Sequence, residues 1–209
     1  MYLTFDDGPD REYTPRVLAL LTRYEARATF FMIGDSADRH ADLVTDVLEQ
    51  GSTVGNHTMT HSIDPRIEGN DSSYLDEVVK ASELLERITG RRPTAFRPPW
   101  GLDTWADGSA RAPMSDEVNE MGMHLWLWDA DGADWKNPQP RAAEIVEQIR
   151  LGVNVGARNC GTDRPVILLH DGVPPYASGR SQSEVIPALE LLLQTCTEKG
   201  HTFESLPGS

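Results

Sequence analysis

Apolar positions recur along this chain in two alternating rhythms. Short apolar runs read as buried strands: Tyr2 to Asp6, Ala28 to Ile33, Thr53 to Asn56, Met123 to Trp128, Val166 to Leu169 and a last one at His201 to Leu206. Ala95-Phe96 leads into a proline-rich turn. Between the runs, apolar residues return three or four apart, the mark of amphipathic helices. Thr14-Pro15 predicts a helix start, with Thr as N-cap and Pro in the first turn, and Val17, Leu18, Leu20, Leu21 and Tyr24 follow at helical spacing. Leu43 to Leu48 marks a second helix, stopped by Gly51, and Tyr74 to Ile88 a third, ended by Gly90. Ala142 to Ile149 and Val185 to Cys196 complete the set, while Leu102 to Pro113 reads as an irregular surface loop that could shape a groove. Strands alternating with helices imply a mostly parallel sheet. With no repeat, low-complexity tract or linker, residues 1–209 are expected to form a single α/β domain, a distorted or incomplete (β/α) barrel of about seven parallel strands.

Composition narrows the function more than the fold. The 209 residues carry 33 acidic against 19 basic side chains, a net charge of -14. That field repels nucleic acid and anionic membranes, so neither is expected as a partner, and a neutral or cationic glycan is compatible with it. No stretch approaches the ~18 apolar residues of a membrane span. Tyr2-Leu3-Thr4-Phe5 already reads as strand, so no secretory leader is expected in this chain. Cys160 and Cys196 could form one disulfide or stay two thiols; the elements they flank are expected to bring them close.

Polar clusters follow the strands at their C-terminal ends, where the sites of such folds lie. Asp6-Asp7-Gly8-Pro9 leaves two acids at a strand rim, and alternation along a strand would point them to opposite sides. His57-Thr58-Met59-Thr60-His61 spaces two histidines as on one face of a helical turn, able to share a metal. Arg97-Pro98-Pro99-Trp100-Gly101 fixes an arginine and an aromatic wall on a rigid backbone. Asp129 to Trp135 gathers three acids beside tryptophans; the terminal glutamate of a calcium loop is missing there. His170-Asp171 ends the later strand. Taken singly, each cluster also admits a structural explanation: solvated turn acids, a rigid loop or a satisfied histidine. His40, His124 and His201 fit none of them and read as structural.

Together TFDDGP, HTMTH, RPPWG, DGADW and LLHDG, in this order from Thr4 to Gly172, resemble the polysaccharide deacetylase family, also called carbohydrate esterase family four or NodB-like. The resemblance implies a secreted or cell-surface hydrolase that removes acetyl groups from a glycan, acting as a monomer. It implies one divalent metal, Zn²⁺ by default with Co²⁺ or others possible, held by Asp7, His57 and His61. Asp6 would be the general base and Arg97 its partner. His170 would be the general acid, held by Asp134, with Asp131 as runner-up. The backbone N–H of Trp100 would stabilise the oxyanion, and Trp100, Pro99, Trp135 and Leu169 would contact substrate. Chitooligosaccharide, peptidoglycan and acetylxylan all stand open as substrates. Trp100 occupies a position where the family more often has Tyr, which bears on specificity. The rival readings are a non-catalytic glycan-binding domain on the same fold, which should lack a base or ligand, and a cyclic amide or imide hydrolase, which should lack the full metal triad.

Overall fold

The computed structural model describes residues 1–62, 64, 71–102, 114–155, 162–174, 177, 179 and 181–209. Among the described residues seven strands form one sheet: β1 (Tyr2–Asp6), β2 (Thr29–Met32), β3 (Thr53–Asn56), β4 (Ala95–Phe96), β5 (His124–Leu125), β6 (Ala130–Asp131) and β7 (Val166–His170). Their order is β5-β4-β3-β2-β1-β7-β6 and every pairing is parallel. The sheet curls into an incomplete barrel whose edges, among the described residues, are β5 and β6. The helices between them are α1 (Thr14–Arg23), α2 (Gly34–Arg39), α3 (Ala41–Glu49), α4 (Asp71–Thr89), α5 (Met114–Glu120), α6 (Ala142–Val155) and α7 (Val185–Glu198).

Strand alternation divides the side chains between two cores. Leu3, Phe5, Phe30, Met32, Ile167 and Leu169 face outward and pack with Val17, Leu21, Val44, Leu85, Ile145 and Leu189 of the helices. Tyr2, Phe31, Ala95 and Val166 face the concave side, where Trp126 and Leu206 join them. Within β1 the inner set therefore runs Tyr2, Thr4, Asp6, and within β7 it runs Val166, Leu168, His170. Asp6 pairs in register with His170, and Met32 with Asn56. The strand ends thus line up, and the residues that follow them meet at one rim.

Several boundaries differ from expectation for identifiable reasons. Thr14 does not cap α1; Tyr13 holds the N-cap position, and the Thr14 hydroxyl instead donates to Asp171 Oδ2 at 2.5 Å while accepting the Asp10 N–H at 2.8 Å. The second expected helix, over Leu43 to Leu48, is α3; a short helix, α2, that the apolar spacing did not signal precedes it and ends at the non-helical His40. The strand expected over Met123 to Trp128 shortens to His124–Leu125, because the carbonyls of Trp126 and Leu127 turn to accept the Arg97 guanidinium. Beyond them, β6 pairs with β7 instead. His201 to Leu206 adds no strand: it makes a single bridge, Glu204 to Tyr2, and then crosses beneath the sheet, where Leu206 N–H donates to Thr29 Oγ1 at 2.9 Å. Most of the loop expected over Leu102 to Pro113, residues 103–113, lies outside the described residues, as does Cys160, so the expected Cys160–Cys196 proximity falls there too.

Candidate active site

Asp7 leaves β1 with a positive φ of 75°. This left-handed turn cancels the strand alternation, so Asp6 and Asp7 both line one cavity instead of pointing to opposite sides. Close packing enforces the geometry. A Cβ on Gly8 would lie 2.5 Å from Asp171 Oδ1, and one on Gly172 would lie 2.4 Å from the Asp7 carbonyl oxygen. The loops after β1 and β7 approach so closely that only glycine fits at either point.

His57 and His61 do not share a helical turn, as their spacing suggested. They stand at the two ends of an irregular turn in which Thr58 and His61 take positive φ values of 66° and 56°. The turn's carbonyls are held by the start of α2, where Gly34 N–H donates to Thr58 O and Asp35 N–H to Met59 O. The two imidazoles meet edge to face with centroids 4.9 Å apart.

Donor atoms of Asp7, His57 and His61 lie within 4.8 Å of one another, and all three residues are buried. His57 Nδ1 sits 2.7 Å from the Arg97 carbonyl, which can only accept, so Nδ1 carries a proton and Nε2 is the ring atom turned towards Asp7. His57 Nε2 and His61 Nε2 are 3.5 and 3.4 Å from Asp7 Oδ1, and no described group hydrogen-bonds to that buried oxygen. Burial lowers the His61 pKa to about 4, against the pull of Asp7, so its ring is neutral at pH 7. Burial alone would raise Asp7, but His57, His61 and His170 outweigh it and hold the carboxyl down at about 2. One carboxylate and two imidazoles converging on one point, with a buried oxygen left over, fit a divalent cation such as zinc.

Arg97 is entirely buried. Its guanidinium donates to Asp6 Oδ1 at 2.8 Å, Thr4 Oγ1 at 2.7 Å, Leu127 O at 2.8 Å and Trp126 O at 3.2 Å. Its Cζ lies 4.2 Å over the Phe31 ring. A buried cation is tolerated only when paired and hydrogen-bonded, and Arg97 has both. Arg97 therefore aims Asp6 with its side chain and His57 with its carbonyl. Asp6 Oδ1 is taken, which leaves Oδ2, 3.8 Å from His57 Nε2, for chemistry.

Across the cavity, Asp134 grips His170 with both oxygens: Oδ2 accepts the His170 backbone N–H at 2.8 Å and Oδ1 meets Nδ1 at 3.0 Å. Burial would lower the His170 pKa, but the Asp134 charge and hydrogen bond, with Asp7 and Asp6 behind them, raise it to about 10. The imidazole is thus a cation at neutral pH, with its Nε2 proton available. Asp131, the alternative partner, is engaged elsewhere: it accepts the Trp135 indole N–H at 3.1 Å and the Ala133 N–H at 2.6 Å.

The cavity has a volume of about 300 Å³ and is walled by Trp100, Trp128, Trp135, Leu168 and Gln182 around the charged groups. Trp100 and Trp135 are each 43% exposed, open enough to meet a sugar ring. Trp100 also packs edge-on against His61, centroids 4.7 Å apart, and sits in the tight turn Pro99–Gly101 with φ 58°. Two expected walls are corrected. Leu169 points outward into the helix-packed core, and Leu168 is the β7 leucine at the cavity. Pro99 is buried in the turn and is not among the lining residues. Gln182 carried no sequence signal, being outside the five motifs, whereas Trp128 directly precedes the Asp129 to Trp135 cluster. Leu168 did carry one: it shares strand parity with His170, and Leu169 does not.

The family model of polysaccharide deacetylases matches residues 1–126. A peptidoglycan-N-acetylglucosamine deacetylase of Bacillus cereus is 36% identical over 203 residues, covering 96% of this chain and 83% of that one. A chitooligosaccharide deacetylase of a Bradyrhizobium strain is 31% identical over 217 residues, covering 99% and 89%. The solved structure of a polysaccharide deacetylase from Bacillus cereus superposes with a TM-score of 0.74 at 33% identity, covering 99% of this chain and 91% of that one. Sequence, fold and site agree: the chain belongs to the polysaccharide deacetylase family.

Proposed function

We propose that this chain is a metal-dependent hydrolase that removes N-acetyl groups from GlcNAc-containing glycans, chitooligosaccharide or peptidoglycan. The observation that carries the reading is one cavity holding three separate devices: the Asp7, His57 and His61 donor set, Asp6 held by Arg97, and His170 held by Asp134. The names of the relatives favour an N-acetyl amide over the O-acetyl ester of xylan. Residues 1–209 would act as one catalytic domain and as a monomer, and substrates of this kind would place the enzyme outside the cytoplasm.

A bound divalent ion, zinc or cobalt, would supply Lewis acidity towards water and towards the acyl oxygen. Asp6 Oδ2 would take the proton of the attacking water, because Oδ1 is committed to Arg97. The Trp100 backbone N–H would donate to the developing oxyanion. His170 would give its Nε2 proton to the departing sugar nitrogen, while Asp134 keeps hold of Nδ1 and aims the ring. A base and an acid on opposite sides of one carbonyl are what hydrolysis of an unactivated amide demands. Leu168 and Trp135 would wall the acetyl methyl, and Trp100 would carry a sugar face.

Acetate release from chitooligosaccharide and from peptidoglycan fragments, with and without a chelator, tests this. Activity should vanish on chelation and return with Zn²⁺ or Co²⁺. Unchanged turnover in verified metal-free protein would remove the metal reading, and glycan binding without acetate release would favour a non-catalytic binding domain. A cyclic amide substrate in the same panel covers the remaining alternative.

A further inference from the structure

The turn that carries His61 is fastened to α4 at two points by side chains with no contact to the cavity. Glu77 Oε2, half-buried on α4, accepts both the backbone N–H of Thr60 at 2.7 Å and the Thr60 hydroxyl at 2.8 Å. One turn further along, Asn56, fully buried at the end of β3, donates from Nδ2 to Val78 O and to Ser82 Oγ, both at 2.8 Å, while its Oδ1 accepts the Thr58 N–H at 2.7 Å. Thr58 Oγ1 then accepts the His61 N–H at 3.1 Å. On the α2 side, backbone bonds hold the turn, Gly34 N–H to Thr58 O and Asp35 N–H to Met59 O. On the α4 side, Glu77 and Asn56 make these bonds, and neither is among the metal donors or the cavity's lining residues.

We propose that Glu77, with Asn56, is a positioning residue for the metal site: it holds the turn after β3 in the left-handed shape that brings His61 Nε2 to Asp7. The physical reason lies in the backbone. Thr58 and His61 both take positive φ, a conformation that side-chain-bearing residues leave unless surrounding bonds over-determine it. A single carboxylate oxygen taking two donors from Thr60, the residue before His61, supplies that over-determination from a helix whose own position is set by packing. A released turn would let His61 swing from Asp7, and the cost would appear in metal affinity rather than in global stability. The inference rests on reading Asp7, His57 and His61 as the metal donors.

The test is Co²⁺ binding to the full chain, followed through the visible absorption of the bound ion and its dissociation constant, together with the melting temperature of metal-free protein. Glu77→Ala should weaken Co²⁺ binding by about tenfold or more and alter the absorption band, with little change in metal-free melting. Glu77→Gln keeps an acceptor and should recover most of the affinity. Glu83→Ala removes the same charge from an exposed position on α4 and should bind Co²⁺ as the unaltered protein does. Should Glu77→Ala fail to fold, Thr60→Val removes one of the two clamping donors at similar shape and should show a smaller loss of the same kind. Equal affinity and an identical band in the Glu77 and Thr60 variants would overturn the inference, as would an equal loss in Glu83→Ala. If the unaltered protein takes up no Co²⁺, the metal reading itself falls first.

Discussion

At the scale of single residues, the site divides labour between groups that differ only in what surrounds them. Asp6 and Asp7 are chemically identical neighbours. Asp6 keeps one oxygen on Arg97, and Asp7 turns out of the strand towards two imidazoles. Asp6→Asn should therefore retain close to the full metal content by elemental analysis, while acetate release falls by two orders of magnitude or more. Loss of metal in Asp6→Asn, with retention in Asp7→Asn, would show the two roles reversed. The adjacent leucines of β7 make a similar pair. Leu169→Ala, in the outer core, should lower unfolding free energy by about 2–5 kcal/mol in urea and leave kinetics near normal once folded. Leu168→Ala, at the cavity, should mainly raise KM or lower kcat. A kinetic defect in Leu169→Ala alone would reverse the orientation assigned to β7.

At the scale of elements, the working parts are loops held by their neighbours rather than the strands themselves. The β1 and β7 loops lock through two glycines and one buried acid. Gly172 has no unusual φ, so its requirement is space alone. Gly172→Ala would drive a methyl into the Asp7 carbonyl, backbone against backbone, and should destabilise the fold by about 1–3 kcal/mol while weakening metal uptake. Calorimetry and a metal titration on one sample check both, and a neutral outcome would mean the loops are not locked. Asp171 lies in the same junction, with Thr14 donating to one oxygen and the other buried against Gly8. Burial raises its pKa to about 7, over the opposition of Thr14, from a usual value of 3.8. A raised pKa means the folded chain binds the proton more tightly. That contribution to stability is full below about pH 4 and is lost as pH climbs to about 7. Asp171→Asn mimics the protonated acid, so metal-free variant should gain on unaltered protein across pH 4 to 7 in urea unfolding. Parallel curves over that window would show Asp171 to be ionised throughout.

At the scale of the whole molecule, the fold is a device for bringing five strand ends to one rim. Parallel pairing in register sets Asp6 beside His170, and Asn56, just before His57, beside Phe96, just before Arg97. Arg97 fills the concave interior beneath that rim and ties β1, β3 and the segment after β5 together. A metal bound only by the native state adds stability by mass action, about 2.7 kcal/mol at a hundredfold excess over its dissociation constant. Chelation should thus lower the melting temperature as well as stop turnover, and a melting curve indifferent to Zn²⁺ or Co²⁺ would argue that Asp7, His57 and His61 do not form a native-state site.

Much of this was legible in one dimension, because the two rhythms of apolar residues and the polar clusters at strand ends are local properties. The alternation of β1, the stop at Gly51 and the helical stripe of α4 follow from neighbours a few positions away, and the motifs themselves name the groups at the rim. What sequence spacing misjudged were the directions in which side chains point once the backbone leaves a regular element. Alternation put Asp6 and Asp7 on opposite sides, and a helical rule joined His57 to His61; positive φ at Asp7, Thr58 and His61 overrode both. Those torsions are unfavourable locally and are imposed by distant partners: Gly172 against Asp7, α2 and Glu77 on the histidine turn, Arg97 across the sheet. The sequence by itself determined which chemical groups are present and which elements carry them. Only tertiary contacts decided which way each group faces, because a strained turn persists only when long-range bonds offset its local cost.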